Sequence, residues 1–320
     1  MKNALEIASK KDSRVPEQPQ VSIVLPTRNA AATLGACLQS VRSLHYPHIE
    51  VIVADNYSRD ATRIIAEKYS AKVVVCGPPP PLNDYFTAPA QRRIGAELTK
   101  GEFIFFIDAD MVLEADLVEE CVMKCLKGAD AVAVPEVSFG EGFWTACRIL
   151  ERMCYFGDGI SDTNIQACRF IRKTSYESVG GWGGKTGSFD DWDLTARLRR
   201  FGFVIVRSEG RIFHNEGHIT LKRAAMKQYH QGKASGVLQY LLTSGASVTA
   251  VLAQLTPLRA LILLKKLPFV TKSPRYIAGI LILKAIDTLA FGFGLIVNIS
   301  RRSKINLKTR KQLALLLPSI

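Results

Sequence analysis

Phe103-Ile104-Phe105-Phe106-Ile107-Asp108-Ala109-Asp110 is a run of five apolar residues that stops at two carboxylates. The run shows no alternation of apolar and polar positions, so it reads as a strand buried on both faces. Three further, mainly apolar runs precede it. Val21-Ser22-Ile23-Val24-Leu25 is stopped by Pro26, Val51-Ile52-Val53-Ala54 is followed by Asp55-Asn56-Tyr57-Ser58, and Val73-Val74-Val75 comes third. Helical segments over 30–44, 59–69 and 89–98 separate these strands. Buried strands alternating with helices predict a mostly parallel, Rossmann-like sheet with helices on both faces. Ligands in such sheets bind beyond the carboxyl ends of the strands. Thr27, Asp55, Asn56 and Asp108 all fall at such ends.

Downstream, helices are predicted over 115–126 and 141–155, with a strand over 131–134 between them. A glycine-rich stretch, Gly180-Gly181-Trp182-Gly183-Gly184 with Gly187, reads as a mobile loop. It leads into a second acidic motif, Asp190-Asp191-Trp192-Asp193, which opens a helix to about Phe201 and is followed by a strand over 203–207. Residues 1–20 are polar, without an apolar core of a signal peptide, and read as a disordered lead. Pro78 to Pro81 read as a stiff connector.

The last third differs in character. Residues 221–320 hold 16 Lys and Arg against one acid, Asp287, whereas residues 1–220 hold 26 against 28. This basic third is also rich in aliphatic residues, which favours an anionic membrane surface over nucleic acid. Helices are expected over 222–242 and 258–267. The segment 277–299 is long enough to span a bilayer. It carries Lys284 and Asp287, each costing about 2.5–3.5 kcal/mol at a membrane centre. Both of its flanks are basic, so an interfacial or re-entrant helix is expected in preference to a span. The seven cysteines form no CxxC pair and sit in apolar contexts, as core cysteines of a reducing compartment do.

The ordered set Val21–Asn29, Glu50–Thr62, Gln91-Arg92-Arg93-Ile94-Gly95, Lys100–Asp110, Val179-Gly180-Gly181-Trp182 and Asp190–Leu194 resembles the inverting nucleotide-sugar glycosyltransferases of family 2, which have the GT-A fold. The resemblance covers residues 20–215, with two departures from the usual pattern. Arg92-Arg93 stands where Arg-Asn is common, and Asp190-Asp191 where Glu-Asp is common. A GT-A catalytic domain over 21–219 and a helical membrane-associating region over 220–320 are therefore expected. The donor implied is a UDP- or GDP-linked sugar.

The resemblance assigns Asp110 to a Mg²⁺ or Mn²⁺ ion and Asp108 to the ribose or the metal. Hard cations held by oxygens neutralise the charge that builds on a departing diphosphate. By resemblance Asp55 and Asn56 contact the base, with Thr27 lining the same pocket. The competing reading of that segment is a helix-capping turn built on Ser58 and Asp60. Arg92 or Arg93 is expected to face the diphosphate. Asp191, with Asp190 beside it, is the candidate general base, because an acceptor hydroxyl must lose its proton as it attacks. His214, in His214-Asn215-Glu216-Gly217-His218, resembles a segment whose histidine approaches the metal. Trp182 and Trp192 are candidates for stacking on a sugar, and Arg223 and Lys227 for a diphosphate or lipid phosphate. The expected acceptor is a glycan or lipid-linked hydroxyl at the cytoplasmic face of the membrane. A polyprenyl-phosphate acceptor is the nearest alternative; it needs no base. A catalytically silent nucleotide-binding scaffold is the alternative of another class.

Overall fold

Strand β1 (Val21–Thr27) organises the molecule, which a computed structural model describes over residues 18–77, 88–156, 168–183, 190–233, 263, 265–268 and 270–316. It pairs in parallel with β2 (Ile49–Asp55) on one side and β4 (Phe103–Phe106) on the other. β3 (Lys72–Val75) extends the sheet in parallel beyond β2. Beyond β4 lie β8 (Cys168–Arg172), antiparallel, then β6 (Ala131–Ala133), antiparallel to β8, and β9 (Ile205–Arg207). The resulting seven-stranded order is β3-β2-β1-β4-β8-β6-β9.

The pleat sorts the apolar run of β4 onto two faces. Phe103, Phe105 and Ile107 join Val21, Ile23 and Leu25 in one core, under α1 (Ala31–Arg42) and α4 (Leu117–Leu126). Ile104 and Phe106 join Val24 in the other, against α6 (Lys173–Ser178) and α7 (Asp190–Arg200). Helices α2 (Thr62–Lys68) and α3 (Ala88–Glu97) complete the layers. α3 lies so close to β1 that a Cβ on Gly95 would come within 2.4 Å of Val24 Cγ1.

A second, three-stranded sheet has the order β5-β10-β7, formed by β5 (Met111–Leu113), β7 (Glu136–Glu141) and β10 (Ile212–His218). These strands, and β8, were not expected from the sequence. β7 and β10 are largely polar, and β8 is interrupted by Arg169, so none shows a strand period. They form because partners distant in the chain complete their ladders. The predicted helix over 141–155 is α5 (Phe143–Phe156), and the helix over 115–126 is α4.

In the last third, α8 (Leu221–Lys233) accounts for the start of the predicted 222–242 helix, and Leu263 and residues 265–267 are helical. The rest of those two segments lies outside the described residues, as do the lead over 1–17, Pro78 to Pro81 and the loop over 184–189. The segment 277–299 is part of α9 (Pro274–Leu316). By length and composition, Pro274–Ile299 is the one helix among the described residues able to cross a membrane. α9 crosses α8 at backbone contact: a Cβ on Gly232 would meet Phe291 O at 2.1 Å, and one on Gly294 would meet Tyr229 O at 2.2 Å. All seven cysteines are buried free thiols, Cys121 and Cys125 on the inner face of α4.

Candidate active site

The parallel register puts Thr27 opposite Asp55, so the ends of β1 and β2 meet. Thr27 Oγ1 donates to Asp55 Oδ1 at 3.0 Å. The Ser58 amide donates to Asp55 Oδ2 at 2.9 Å, and the Asn56 amide to the Thr27 carbonyl at 2.9 Å. Gln91 of α3 ties both strand ends from above, donating to the Thr27 and Ala54 carbonyls at 2.8 and 2.7 Å. Asn29 and Tyr57 hold left-handed backbone, φ 50° and 48°, in the two turns that follow. Such conformations in non-glycine residues gather at sites where the surrounding structure enforces them. Asp55 and Asn56 are fully buried, so this corner is rigid before any ligand arrives.

Asp108-Ala109-Asp110 makes the turn from β4 into β5. Two buried arginines address Asp108. Arg92 Nη2 lies 2.5 Å from Oδ1, and Arg169 Nη2 lies 3.5 Å from Oδ2. Burial opposes ionisation of Asp108, but the charges of Arg92 and Arg169 outweigh it and bring its pKa to about 2. Arg92 also reaches Asp191 at the start of α7, with Nη1 3.3 Å from Oδ1. One guanidinium thus joins the two acidic motifs, 83 positions apart in the chain, as it lies 4.9 Å over the Trp182 ring.

His214 arrives by a different route. β10 runs antiparallel to β5 with His214 opposite Met111, and the Asn215 amide donates to the Asp110 carbonyl at 2.8 Å. This ladder brings His214 Nε2 to 3.4 Å from Asp110 Oδ2. On its other side, His214 Nδ1 lies 3.3 Å from Glu136 Oε2. Arg169 in turn holds Glu136 at 2.7 Å. Burial pulls the imidazole pKa down, but hydrogen bonds to Asp110 and Glu136 and their charges raise it to about 9. Glu136 is held well below the carboxylate range: burial is overcome by Arg169 and His214.

The structure separates residues that the sequence left equivalent. Arg92 is buried and faces Asp108, whereas Arg93 is exposed and pairs along α3 with Glu97 at 3.5 Å. Successive helical residues point about 100° apart, so only one of the two turns inward. Trp182 is a correction: it is 2% exposed and packs edge-on against Phe106 in the second core, leaving no face for a sugar. Asp193 pairs with Arg197 at 2.7 Å, and Arg197 holds the Gly181 carbonyl at 2.7 Å, so this acid secures the glycine turn. Arg223 and Lys227 lie on the exposed face of α8, where Arg223 donates to the His218 carbonyl at 3.4 Å. Asp190 and Trp192 sit on the first turn of α7, their side chains outside those described.

Arg169 and Glu136 belong to no sequence motif. The only signal was a lone arginine amid buried apolar residues, Cys168-Arg169-Phe170-Ile171, which demands a buried acid. Arg169→Met is expected to destabilise the fold by about 3–5 kcal/mol, because it leaves Asp108 and Glu136 short of their cation. Urea unfolding measures this; a loss no larger than that of an exposed pair would mean that the two carboxylates are neutralised elsewhere.

The residues present fit a divalent cation. Asp110 Oδ1 is buried without a hydrogen-bond partner, and it sits on the same carboxylate that faces His214. No group of three ligating side chains is assembled among the described residues. One or two protein ligands suffice where a diphosphate supplies the remaining oxygens.

Residues 22–180 match the family described as glycosyl transferase family 2. Among curated relatives, a beta-monoglucosyldiacylglycerol synthase of Trichormus variabilis is 30% identical over 206 residues, 56% of this chain and 41% of the relative. Glycosyltransferase AglE of Haloferax volcanii is 27% identical over 199 residues, 58% of this chain and 64% of the relative. The chain therefore spans less than two thirds of either relative. Among solved structures, the mannosyltransferase PcManGT of Pyrobaculum calidifontis, in complex with GDP-Man and Mn²⁺, superposes with a TM-score of 0.57 at 15% identity. That match covers 88% of each chain. TarS of S. aureus superposes with a TM-score of 0.51 at 13% identity, covering 86% of this chain and 55% of TarS.

Proposed function

Because this chain, through residues 22–180, belongs to glycosyl transferase family 2 and has the GT-A fold, we propose that it is an inverting, metal-assisted transferase of a sugar from a nucleotide diphosphate to a hydroxyl acceptor at a membrane. The observation that carries this reading is the single guanidinium of Arg92 joining Asp108 at the end of β4 to Asp191 of the second acidic motif.

Asp110 and His214 are the residues that would hold Mg²⁺ or Mn²⁺, with Asp108 beside them. The ion's contribution is to neutralise the charge of the leaving diphosphate. Thr27, Asp55 and Asn56 are buried and tied to one another, so their part is to shape the strand-end corner that receives the base. The donor diphosphate competes with Asp191 for Arg92, and this frees the Asp191 carboxylate to act. Asp191 then takes the proton of the acceptor hydroxyl. The acceptor oxygen bonds the anomeric carbon from the face opposite the diphosphate, the bond from that carbon to the diphosphate oxygen breaks, and a nucleoside diphosphate leaves with its electron pair. Attack from the opposite face inverts the centre.

A lipid or lipid-linked acceptor is supported by α9, whose exposed side carries Ile282, Leu289, Phe293 and Ile296, and by the basic residues on both sides of its apolar segment 277–299. The named activity of the Trichormus relative points the same way. The test is nucleoside diphosphate release from a panel of UDP- and GDP-sugars with Mn²⁺ or Mg²⁺, with and without membrane lipid, using Asp110→Ala as the blank. Release from one donor, stimulated by lipid and lost in the variant, is expected. Silence across the panel together with no donor binding by calorimetry would overturn the reading.

A further inference from the structure

Lys284 and Asp287, the two charges in the apolar part of α9, are not turned to solvent. Lys284 Nζ lies 2.9 Å from Glu151 Oε1, and Asp287 Oδ2 lies 2.6 Å from Arg148 Nη2, both partners on α5. Arg148 closes the group by pairing with Glu151 at 2.7 Å. Glu151 and Asp287 are almost fully buried, so the four charges depend on one another for neutralisation. Gly279 brings the two helices into direct contact: a Cβ there would lie 2.6 Å from Cys147 Sγ.

The next residue on α5, Arg152, turns toward the candidate metal residue. It pairs with Glu216 of β10, donates to Ser138 Oγ of β7 at 2.8 Å, and comes within 3.2 Å of His214 Nδ1. A second grip lies two turns earlier, where Thr145 Oγ1 donates to the Gly217 carbonyl at 3.1 Å and accepts from the Ile219 amide at 2.8 Å. α5 therefore holds α9 with one set of side chains and β10 with the other.

We infer that Arg152 is a positioning residue for His214, and that the Arg148–Glu151–Lys284–Asp287 cluster makes its placement depend on the docking of α9. The helix with the exposed apolar side is thereby coupled to the wall of the site that faces Asp110. This rests on the reading of Asp110 and His214 as the metal side of the site. Outer partners of a metal-facing histidine fix its ring and tune the affinity of the site.

The experiment uses the full chain with isotope-labelled histidine, observed metal-free by NMR at one fixed pH. The chain has five histidines, and the His214 signal is identified by its loss in His214→Asn. Lys284→Glu is expected to displace that signal, and Lys284→Glu with Glu151→Lys to return it. Should the reversal fail to fold, Lys284→Met makes the same test with a smaller perturbation. In a second arm, Arg152→Met is expected to weaken Mn²⁺ binding about tenfold in the presence of UDP or GDP, with Arg152→Lys recovering part of it. An unmoved His214 signal in the folded Lys284 variants, or a displaced signal that the double exchange does not return, would overturn the inference. The first arm needs neither metal nor transfer, so failure of the proposed activity would be distinguishable from failure of the coupling.

Discussion

Asp191→Asn is expected to lower turnover by about 10²–10⁴-fold while leaving donor binding close to that of the parent protein. Asn keeps the shape of the side chain and an oxygen that can accept from Arg92, whose Nη1 lies 3.3 Å from Asp191. It removes only the ability to take a proton. Asp191 sits at the solvent-accessible start of α7, with its side chain 40% exposed, so losing its charge should not unfold the core. Nucleoside diphosphate release gives turnover, and calorimetry with the donor gives binding. Unchanged turnover would mean that Asp191 is not the base. An acceptor that is already ionised, such as a polyprenyl phosphate, would then become the better reading. Loss of donor binding along with turnover would instead place Asp191 on the donor.

Asp110→Ala is expected to abolish measurable Mn²⁺ binding and to lower turnover by about 10²–10³-fold, the scale seen when one preorganised electrostatic contact to the developing charge is removed. The unpartnered Asp110 Oδ1 motivates the first half. Mn²⁺ titration in the presence of UDP or GDP is the measurement, and retained affinity would move the metal away from this carboxylate. A pH dependence accompanies it. The His214 pKa is raised to about 9, so at neutral pH its Nε2 carries the proton that a metal ion would have to displace. Mn²⁺ affinity should therefore climb with pH and level off near 9, while Asp108, at about 2, stays ionised throughout. A flat profile would exclude His214 from the ion's surroundings.

The parts of the fold that were legible were those written in short-range pattern. Residues 103–107 could be assigned to a buried strand because every side chain in the run is apolar, and the strand end could be located because Asp108 is not. The same logic placed Thr27, Asp55 and Asn56 on one edge. β10 had no such signal: Ile212-Phe213-His214-Asn215-Glu216 is a strand only because β5 and β7 flank it, with pairings about 100 and 76 residues away in the chain. A tryptophan such as Trp182 can stack on a sugar or fill a core, and only its packing against Phe106 decides for the core. Residues 221–320 were legible as basic and apolar, but not the direction in which the charges of α9 point.

The layered α/β architecture, the edge of the sheet that carries the carboxylates and the resemblance to the family were all legible along the chain. Each rests on local periodicity and on motif order along the chain. Tertiary structure alone decided that Arg92 and not Arg93 bridges the acidic motifs, that Arg169 and Glu136 stand behind Asp108 and His214, and that Lys284 and Asp287 of α9 dock on α5. The physical reason is common to all three. A buried charge requires a partner, and which partner it meets depends on strands and helices that are distant in the chain and adjacent only once folded.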